Sequence, residues 1–305
     1  MERRRSSQFN SWRRYVTTNS DKLVSAQTLP VCLREVAELR RVKQVVFCSM
    51  PQEGLTAVAT DGFTIYIKCD PPTVDDWNRR WCDPADGGRT LPTRTRFSIA
   101  HEIGHTLFFD ISQERIKVLR GSSDQKVKDS LESLCNIAAS RILLPERILL
   151  KAAGNVGSEC NLLDPAVLAS LRQQAAISSR ALVLRIAHSS FWGNVHAVIS
   201  CVYGNVGEAV IEEAVMSMWL RNLFPQARHG QPVSFLTDDP TLAFNGGQAK
   251  RAIVDILEPL MSGKRQPYQP CIFACEKIYA GAPGYFVTVQ PYGPRRLPAC
   301  QAGAS

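Results

Sequence analysis

No apolar run in this chain reaches the roughly 18 residues that a membrane-crossing helix requires. Its first residues, Arg3, Arg4 and Arg5 among polar neighbours, lack an apolar leader stretch. The sequence therefore predicts neither a membrane anchor nor export, and the expected location is the cytoplasm. Also missing is a cysteine frame. The ten cysteines are scattered over 305 residues, and only Cys271 and Cys275 stand close, with no second pair to complete four ligands. That scatter predicts reduced thiols and excludes a small disulfide-stapled scaffold. Internal repeats are absent. Hydrophobic residues at 45% and charged ones at 21% exclude the compositions of disordered, collagenous or coiled-coil chains. Even the basic balance is thin: of the net charge of +8, five charges (Arg3, Arg4, Arg5, Arg13 and Arg14) fall in the first stretch, and setting them aside leaves +3. The body is not the strongly basic surface of a nucleic-acid binder, and residues 1–27 read as a basic, solvated tail.

What is present is an ordinary globular pattern with room for about two domains. Apolar residues at Val31, Leu33, Val36, Ala37 and Leu39 have helical spacing and precede a β-branched segment at Val45, Val46 and Phe47. Residues 62–68 alternate after an Asp61-Gly62 turn and predict a strand in a small antiparallel sheet. Pro71, Pro72, Pro84, Gly87, Gly88 and Pro92 mark residues 70–92 as a long surface loop. Helices are predicted over 93–109 and over 125–144, the second stopped by Pro145, and a helical pair over 164–188. Beyond Trp192 the pattern turns mixed, with strands over 196–203 and 285–290 and helices near 211–220 and 252–261.

The chemistry concentrates in one segment. His101-Glu102-Ile103-Gly104-His105 is a His-Glu-x-x-His motif in a stretch with no proline to break a helix. Residues four apart on a helix face the same way, so both imidazoles can grip one ion, while Glu102 projects beside them and reaches a water on that ion. Such an ion lowers the pKa of its water toward about 7, and the glutamate takes the proton as a peptide carbonyl is attacked. Two histidines and a glutamate among Phe97, Ile99, Ala100, Ile103, Leu107 and Phe108 also need a partner that offsets their desolvation, which a cation supplies. The competing reading is a surface helix with incidental histidines.

A catalytic zinc usually keeps three protein ligands and leaves the fourth position to water. A third histidine at metzincin spacing is excluded, because Ile111 occupies that position. His188, His196 and His229 lie far along the chain and read as core or surface histidines. Among carboxylates Glu132 is best placed, on the edge of the apolar stripe of the second helix beside Cys135 and Ala139. Glu114 follows His105 too closely, and Glu146 lies beyond the proline. The competing reading of Glu132 is an exposed helix acid.

The run from Arg96 to His105, followed by Glu132 and the block Asn136-Ile137-Ala138-Ala139-Ser140-Arg141-Ile142-Leu143-Leu144-Pro145, resembles the ImmA/IrrE family of metallo-endopeptidases. The likeness extends over roughly residues 28–190. Cys135 stands where the family usually has alanine, and Ile137 where it often has phenylalanine. The resemblance implies a gluzincin-type site with His101, His105 and Glu132 as zinc ligands and Glu102 as general base. It also implies a protein substrate, typically a transcriptional repressor.

The expected fold is α+β: a zincin-like helical metallopeptidase domain with a small sheet (28–150), a helix-turn-helix-like segment (160–190), and a mixed α/β C-terminal region (191–305) for sensing or substrate recognition. Zinc is the expected cofactor, with manganese and iron as alternative occupants. Arg172, Arg180 and Arg185 are the residues on which any DNA contact would lean. The rival from another class is a non-hydrolytic, metal-containing regulator that binds DNA or a repressor.

Overall fold

The computed structural model describes residues 2–111, 117–118, 125–153, 165–189, 197–203, 209–216, 221, 229–231, 250–257, 268–277 and 284–291. The chain divides into two compact units, residues 1–148 with 173–178, and residues 149–172 with 179–305.

The first unit opens on helix α1 (Glu2–Leu23), where the sequence reading placed a solvated tail. The helix carries an apolar stripe among its charged residues. Phe9, Trp12, Val16 and Leu23 pack with Leu107, Phe108, Leu134 and Ile137, and the rings of Trp12 and Phe108 lie 5.1 Å apart. A fork of charge-assisted bonds completes the attachment: Arg141 donates from Nε and Nη2 to the two Asp21 carboxylate oxygens at 3.0 and 2.7 Å. Arg141 also reaches Glu146 at 3.3 Å.

Helix α2 (Leu33–Leu39) buries Leu33, Val36 and Ala37 and leads into a three-stranded sheet of β1 (Val42–Cys48), β2 (Gly54–Val58) and β3 (Phe63–Lys68). The order is β1-β3-β2, with β3 parallel to β1 and antiparallel to β2, so the sheet is mixed rather than purely antiparallel. The Asp61-Gly62 turn does close a hairpin, with Ala59 N–H donating to Gly62 C=O at 2.9 Å. Strand β2, weak in period-two alternation, escaped the sequence reading.

Residues 70–92 are not a plain loop. A 3-10 turn (Pro71–Thr73) runs into helix α3 (Val74–Cys82). Its prolines bracket the helix instead of interrupting it: Pro71 and Pro72 precede it and Pro84 follows it. Trp77 and Trp81 lie one turn apart, Trp81 is buried, and the Trp77 ring meets Phe47 edge-on at 5.6 Å.

Helix α4 (Thr93–Thr106) packs on β2 and β3 and also on α5 (Gln125–Leu143), which stops short of Pro145; α6 (Glu146–Ala153) follows. A two-residue bridge pairs β4 (Phe109–Asp110) with β5 (Lys117–Val118). The helices α4 and α5 approach each other closely at Gly104, where an added Cβ would lie 3.1 Å from the Ala138 Cβ and 3.3 Å from the Cys135 Cα and carbonyl oxygen.

In the second unit, α8 (Ser179–Ala187) packs on β6 (Ala197–Tyr203) and β7 (Ala209–Met216) of a five-stranded antiparallel sheet. With β8 (Lys250–Leu257), β9 (Tyr268–Lys277) and β10 (Gly284–Pro291), its order is β7-β6-β10-β9-β8. The helices expected near 211–220 and 252–261 are therefore strands over 211–216 and 252–257. Residues such as Ala, Glu and Met favour helices locally, but pairing with β6 and β9 decides their state. The C-terminal region expected to be mixed is, among the described residues, essentially this sheet. The expected helical pair is present as α7 (Pro165–Ala175) and α8, joined through Ala176 at φ +50°. Of the three arginines considered for DNA contact, Arg185 is fully buried, and Arg180, which is exposed, pairs with Glu213 of β7 at 2.9 Å. Glu114 and His196 lie outside the described residues. Among the described residues no helix is long and apolar enough to cross a membrane.

Asp21→Ala removes the main partner of a buried guanidinium. Because Asp21 is about one-third exposed, the full cost of breaking a buried pair is discounted to about 1–2 kcal/mol. Urea unfolding followed through Trp12, which sits on the same helix, should show the loss as a lower midpoint.

Candidate metal centre

The site is built where α4 and α5 face each other across Gly104. His101 and His105, one turn apart on α4, present their rings at a centroid distance of 5.0 Å. Their Nε2 atoms are 3.2 Å apart. Glu132, from α5, places Oε2 at 3.0 Å from the His101 Nε2 and Oε1 at 3.6 Å from the His105 Nε2. Around a tetrahedral ion with bonds of about 2.0–2.1 Å, ligand atoms sit about 3.3–3.4 Å from one another. The three separations bracket that value. Two imidazole nitrogens and a carboxylate oxygen are mutually repelling acceptors unless a positive centre lies among them; one proton can satisfy two, whereas one cation can satisfy all three.

The protonation states suit such a cation. Burial, reinforced by His101, pushes His105 down to about 4 against the opposing pull of Glu132, which keeps its imidazole neutral at neutral pH. A metal ligand has to be deprotonated, so this lowering favours ion binding. Asn136 sets the other ring: its Oδ1 lies 3.0 Å from the His101 Nδ1. With Nδ1–H donating to that oxygen, the Nε2 lone pair turns toward Glu132 and His105. Asn136 had been noticed as part of a sequence block, but only the i, i+4 relation to Glu132 on α5 hints at a role beside the histidines.

Glu132 departs from its expected surroundings. Its carboxylate lies beside the imidazoles, yet its side chain is 69% exposed, while those of His101 and His105 are 15% and 19% exposed. The carboxylate forms the solvent-side rim, and the buried small residue beside it is Cys135. The Cys135 Sγ and one nitrogen from each histidine all lie within 4.8 Å of one another, so a second donor set shares the same imidazoles.

Glu102 points from α4 toward the sheet and is almost wholly buried. The Thr56 hydroxyl of β2 lies 2.7 Å from its Oε2 and 3.0 Å from its main-chain oxygen. Gly54, two residues earlier, leaves room for the carboxylate: a Cβ there would lie 2.5 Å from Oε1. Burial raises the Glu102 pKa, against the lowering effects of the Thr56 hydroxyl and His101. Neither Gly54 nor Thr56 was singled out from sequence, because β2 itself was not recognised.

Two buried or half-buried arginines hold α4 in place. Arg96 donates to Gly88 C=O at 2.6 Å and to Val31 C=O at 3.2 Å. At the other end Arg40 donates to the Thr106 hydroxyl at 3.0 Å, to Phe109 C=O at 3.1 Å and to Thr106 C=O. A cation against the final carbonyls both caps the helix and complements its dipole. His188 and His229 belong to the second unit, and the His229 Nδ1 is 2.8 Å from Glu212 C=O.

Removing the Asn136 acceptor frees the His101 ring to rotate and change tautomer. Asn136→Ala should weaken zinc binding by about 10- to 100-fold, measured by competition with a chromophoric chelator, while the helical circular dichroism stays unchanged.

Known proteins share this part of the chain. Residues 89–166 match a peptidase family described as the IrrE N-terminal-like domain. The radiation response metalloprotease IrrE of Deinococcus radiodurans is 26% identical over 107 residues, which is 35% of this chain and 31% of that protein. The chain thus matches about a third of that relative's length. A solved Mycobacterium tuberculosis transcriptional regulator aligns with 92% of this chain and 79% of its own at 11% identity, with a TM-score of only 0.44. The segment that supplies the histidines, Glu102, Glu132 and Asn136 is thus similar to the IrrE N-terminal-like domain, in agreement with the ImmA/IrrE resemblance drawn from the sequence.

Proposed function

We propose that the protein is a zinc-dependent endopeptidase that hydrolyses a peptide bond in a protein substrate, with a transcriptional repressor as the expected target. The carrying observation is the convergence of His101, His105 and Glu132 within 3.0–3.6 Å of one another beside a buried Glu102. In this reading His101, His105 and Glu132 hold the ion in a gluzincin-type, zincin-like arrangement. When bound, such an ion acts as a Lewis acid that polarises the scissile carbonyl and acidifies water.

The protein's own groups do the rest. Glu102 takes the proton of the attacking water and passes it to the departing amine, and its raised pKa brings it nearer the pH at which it must work in both directions. The Thr56 hydroxyl and the space left by Gly54 fix which carboxylate oxygen faces the reaction. Substrate docking follows from the pairing pattern of β2. Ala59 bonds Gly62, and Lys68 bonds Glu53. By the two-residue alternation of antiparallel pairs, Leu55 and Ala57 then turn their main-chain groups to β3, and Gly54, Thr56 and Val58 turn theirs to the open edge. An extended peptide can add there as a further strand and pass directly in front of Glu102. The helical pair α7–α8 and the C-terminal sheet are assigned to recognition or sensing, and the cytoplasm is the expected location.

The rival reading, a non-hydrolytic regulator, gives no use to a carboxylate buried beside the histidines, since burying it carries a cost. Glu102→Gln should keep its zinc, verified by elemental analysis, and lose about 10²- to 10⁴-fold in cleavage rate. Proteins captured by this variant serve as substrates for the wild type, and unchanged cleavage would remove Glu102 from the mechanism. Glu132→Ala should retain the fold but lose most of its zinc at equal chelator concentration; full occupancy would assign the third ligand elsewhere.

A further inference from the structure

Strand β2 meets the Glu102 carboxylate through two of its residues. Gly54 and Thr56 stand two positions apart, so both turn the same side of the strand toward α4. A Cβ on Gly54 would lie 2.5 Å from the Glu102 Oε1 and 2.9 Å from its Cδ and Cγ, so one oxygen of the carboxylate rests against the strand backbone. The Thr56 hydroxyl stands 2.7 Å from the other oxygen, Oε2, and 3.0 Å from the Glu102 main-chain oxygen. Its single proton goes to the carboxylate, the shorter and charge-assisted of the two contacts. A long, flexible side chain is thereby held at both oxygens by one short strand. That strand also borders its sheet, in the order β1-β3-β2. Its register with β3, together with the Ala59–Gly62 and Lys68–Glu53 bonds, turns the main-chain groups of Thr56 away from β3 and toward the border. Thr56 therefore faces two ways: its main chain lies where an added peptide strand would pair, and its hydroxyl holds Glu102.

We propose that Thr56 is a positioning residue that couples the docked peptide backbone to Glu102, and that it makes the enzyme selective for segments lying extended across Thr56. The proposal rests on the peptidase reading given above and names its substrate class: a locally unfolded or edge segment of a protein, not a folded loop and not a short peptide that stops before Thr56. Pairing at the border steadies the strand, and the strand holds the carboxylate through Gly54 and Thr56. The carboxylate then meets the attacking water in one orientation. Binding energy from backbone remote from the scissile bond is converted in this way into turnover, so shortening the substrate lowers kcat and does not merely raise KM.

The full-length, zinc-loaded protein is first given a whole-proteome library of tryptic peptides, with the products read by mass spectrometry. The fastest-cleaved peptide is then synthesised for kinetics, together with versions shortened from either end. Thr56→Val keeps the side-chain shape and removes the hydroxyl. It should lose about 10- to 100-fold in kcat, the factor that corresponds to a lost hydrogen bond to a charged group, with KM and zinc content close to wild type. Thr56→Ser should recover most of that loss. Gly54→Ala displaces the carboxylate without touching the hydroxyl and should show the same loss in kcat, which keeps the test decisive if Thr56→Val does not fold. The factor lost on shortening the peptide should be smaller in Thr56→Val than in wild type, as coupled groups require. A readout independent of turnover is the carboxyl carbon resonance of Glu102 in protein labelled with 13C-glutamate, assigned by its disappearance in Glu102→Gln. It should shift in Thr56→Val and return in Thr56→Ser. An unchanged kcat in Thr56→Val, a loss confined to KM, or equal losses on shortening in both proteins would overturn the coupling and leave the peptidase reading intact. Zinc-loaded wild type that cleaves no peptide of the library would overturn both.

Discussion

The contact of α4 with α5 at Gly104 is the constraint on which the centre depends. The donors come from two helices far apart in sequence, and they can share one ion only if the helix axes approach closely. A residue without a side chain at that point, facing Ala138 and the backbone of Cys135, permits the approach. Everything nearby respects it: Arg96 and Arg40 pin the two ends of α4, and the apolar cluster of Leu107, Leu134 and Ala138 seals the contact below. Native-like packing density makes such a contact intolerant of even one added methyl group, so the geometry of the donors inherits the rigidity of the core.

Much of the centre was legible before any coordinates. The His-Glu-x-x-His spacing by itself puts two imidazoles on one helix face, and the apolar stripe of the next helix points to Glu132, although its carboxylate stands at the solvent rim and not inward as that stripe implies. These inferences rest on helical periodicity, which a sequence displays openly. The shell around them was not legible. Thr56 and Gly54 act through a strand whose residues, Gly54 to Val58, have little alternation, and Asn136 acts through a tautomer that no composition reveals. The segment of 70–92 shows the same limit in another form. Its prolines are strong turn signals, and only the register of Trp77 and Trp81 against the sheet reveals the helix between them.

The N-terminal helix carries a related lesson. Residues 1–27 look dominated by charge, yet Trp12, Val16 and the Asp21 carboxylate attach the segment. Net charge speaks to solubility and association rather than to fold. In the second unit, strand pairing overrode local helix preference at two places, as expected when long-range hydrogen bonding decides the state of segments whose intrinsic preferences are weak. The burial of Arg185 and the pairing of Arg180 follow from the same sheet, which receives α8 on its surface.

The free edge of β2 has a second face. Leu55 and Val58 are about half exposed on a strand at the border of its sheet, and nothing among its residues is charged. A border strand of this composition is also a template on which identical chains can line up. Any charge introduced there to keep concentrated protein from clumping would alter the edge proposed to receive a peptide, so solubility and recognition would compete for the same five residues.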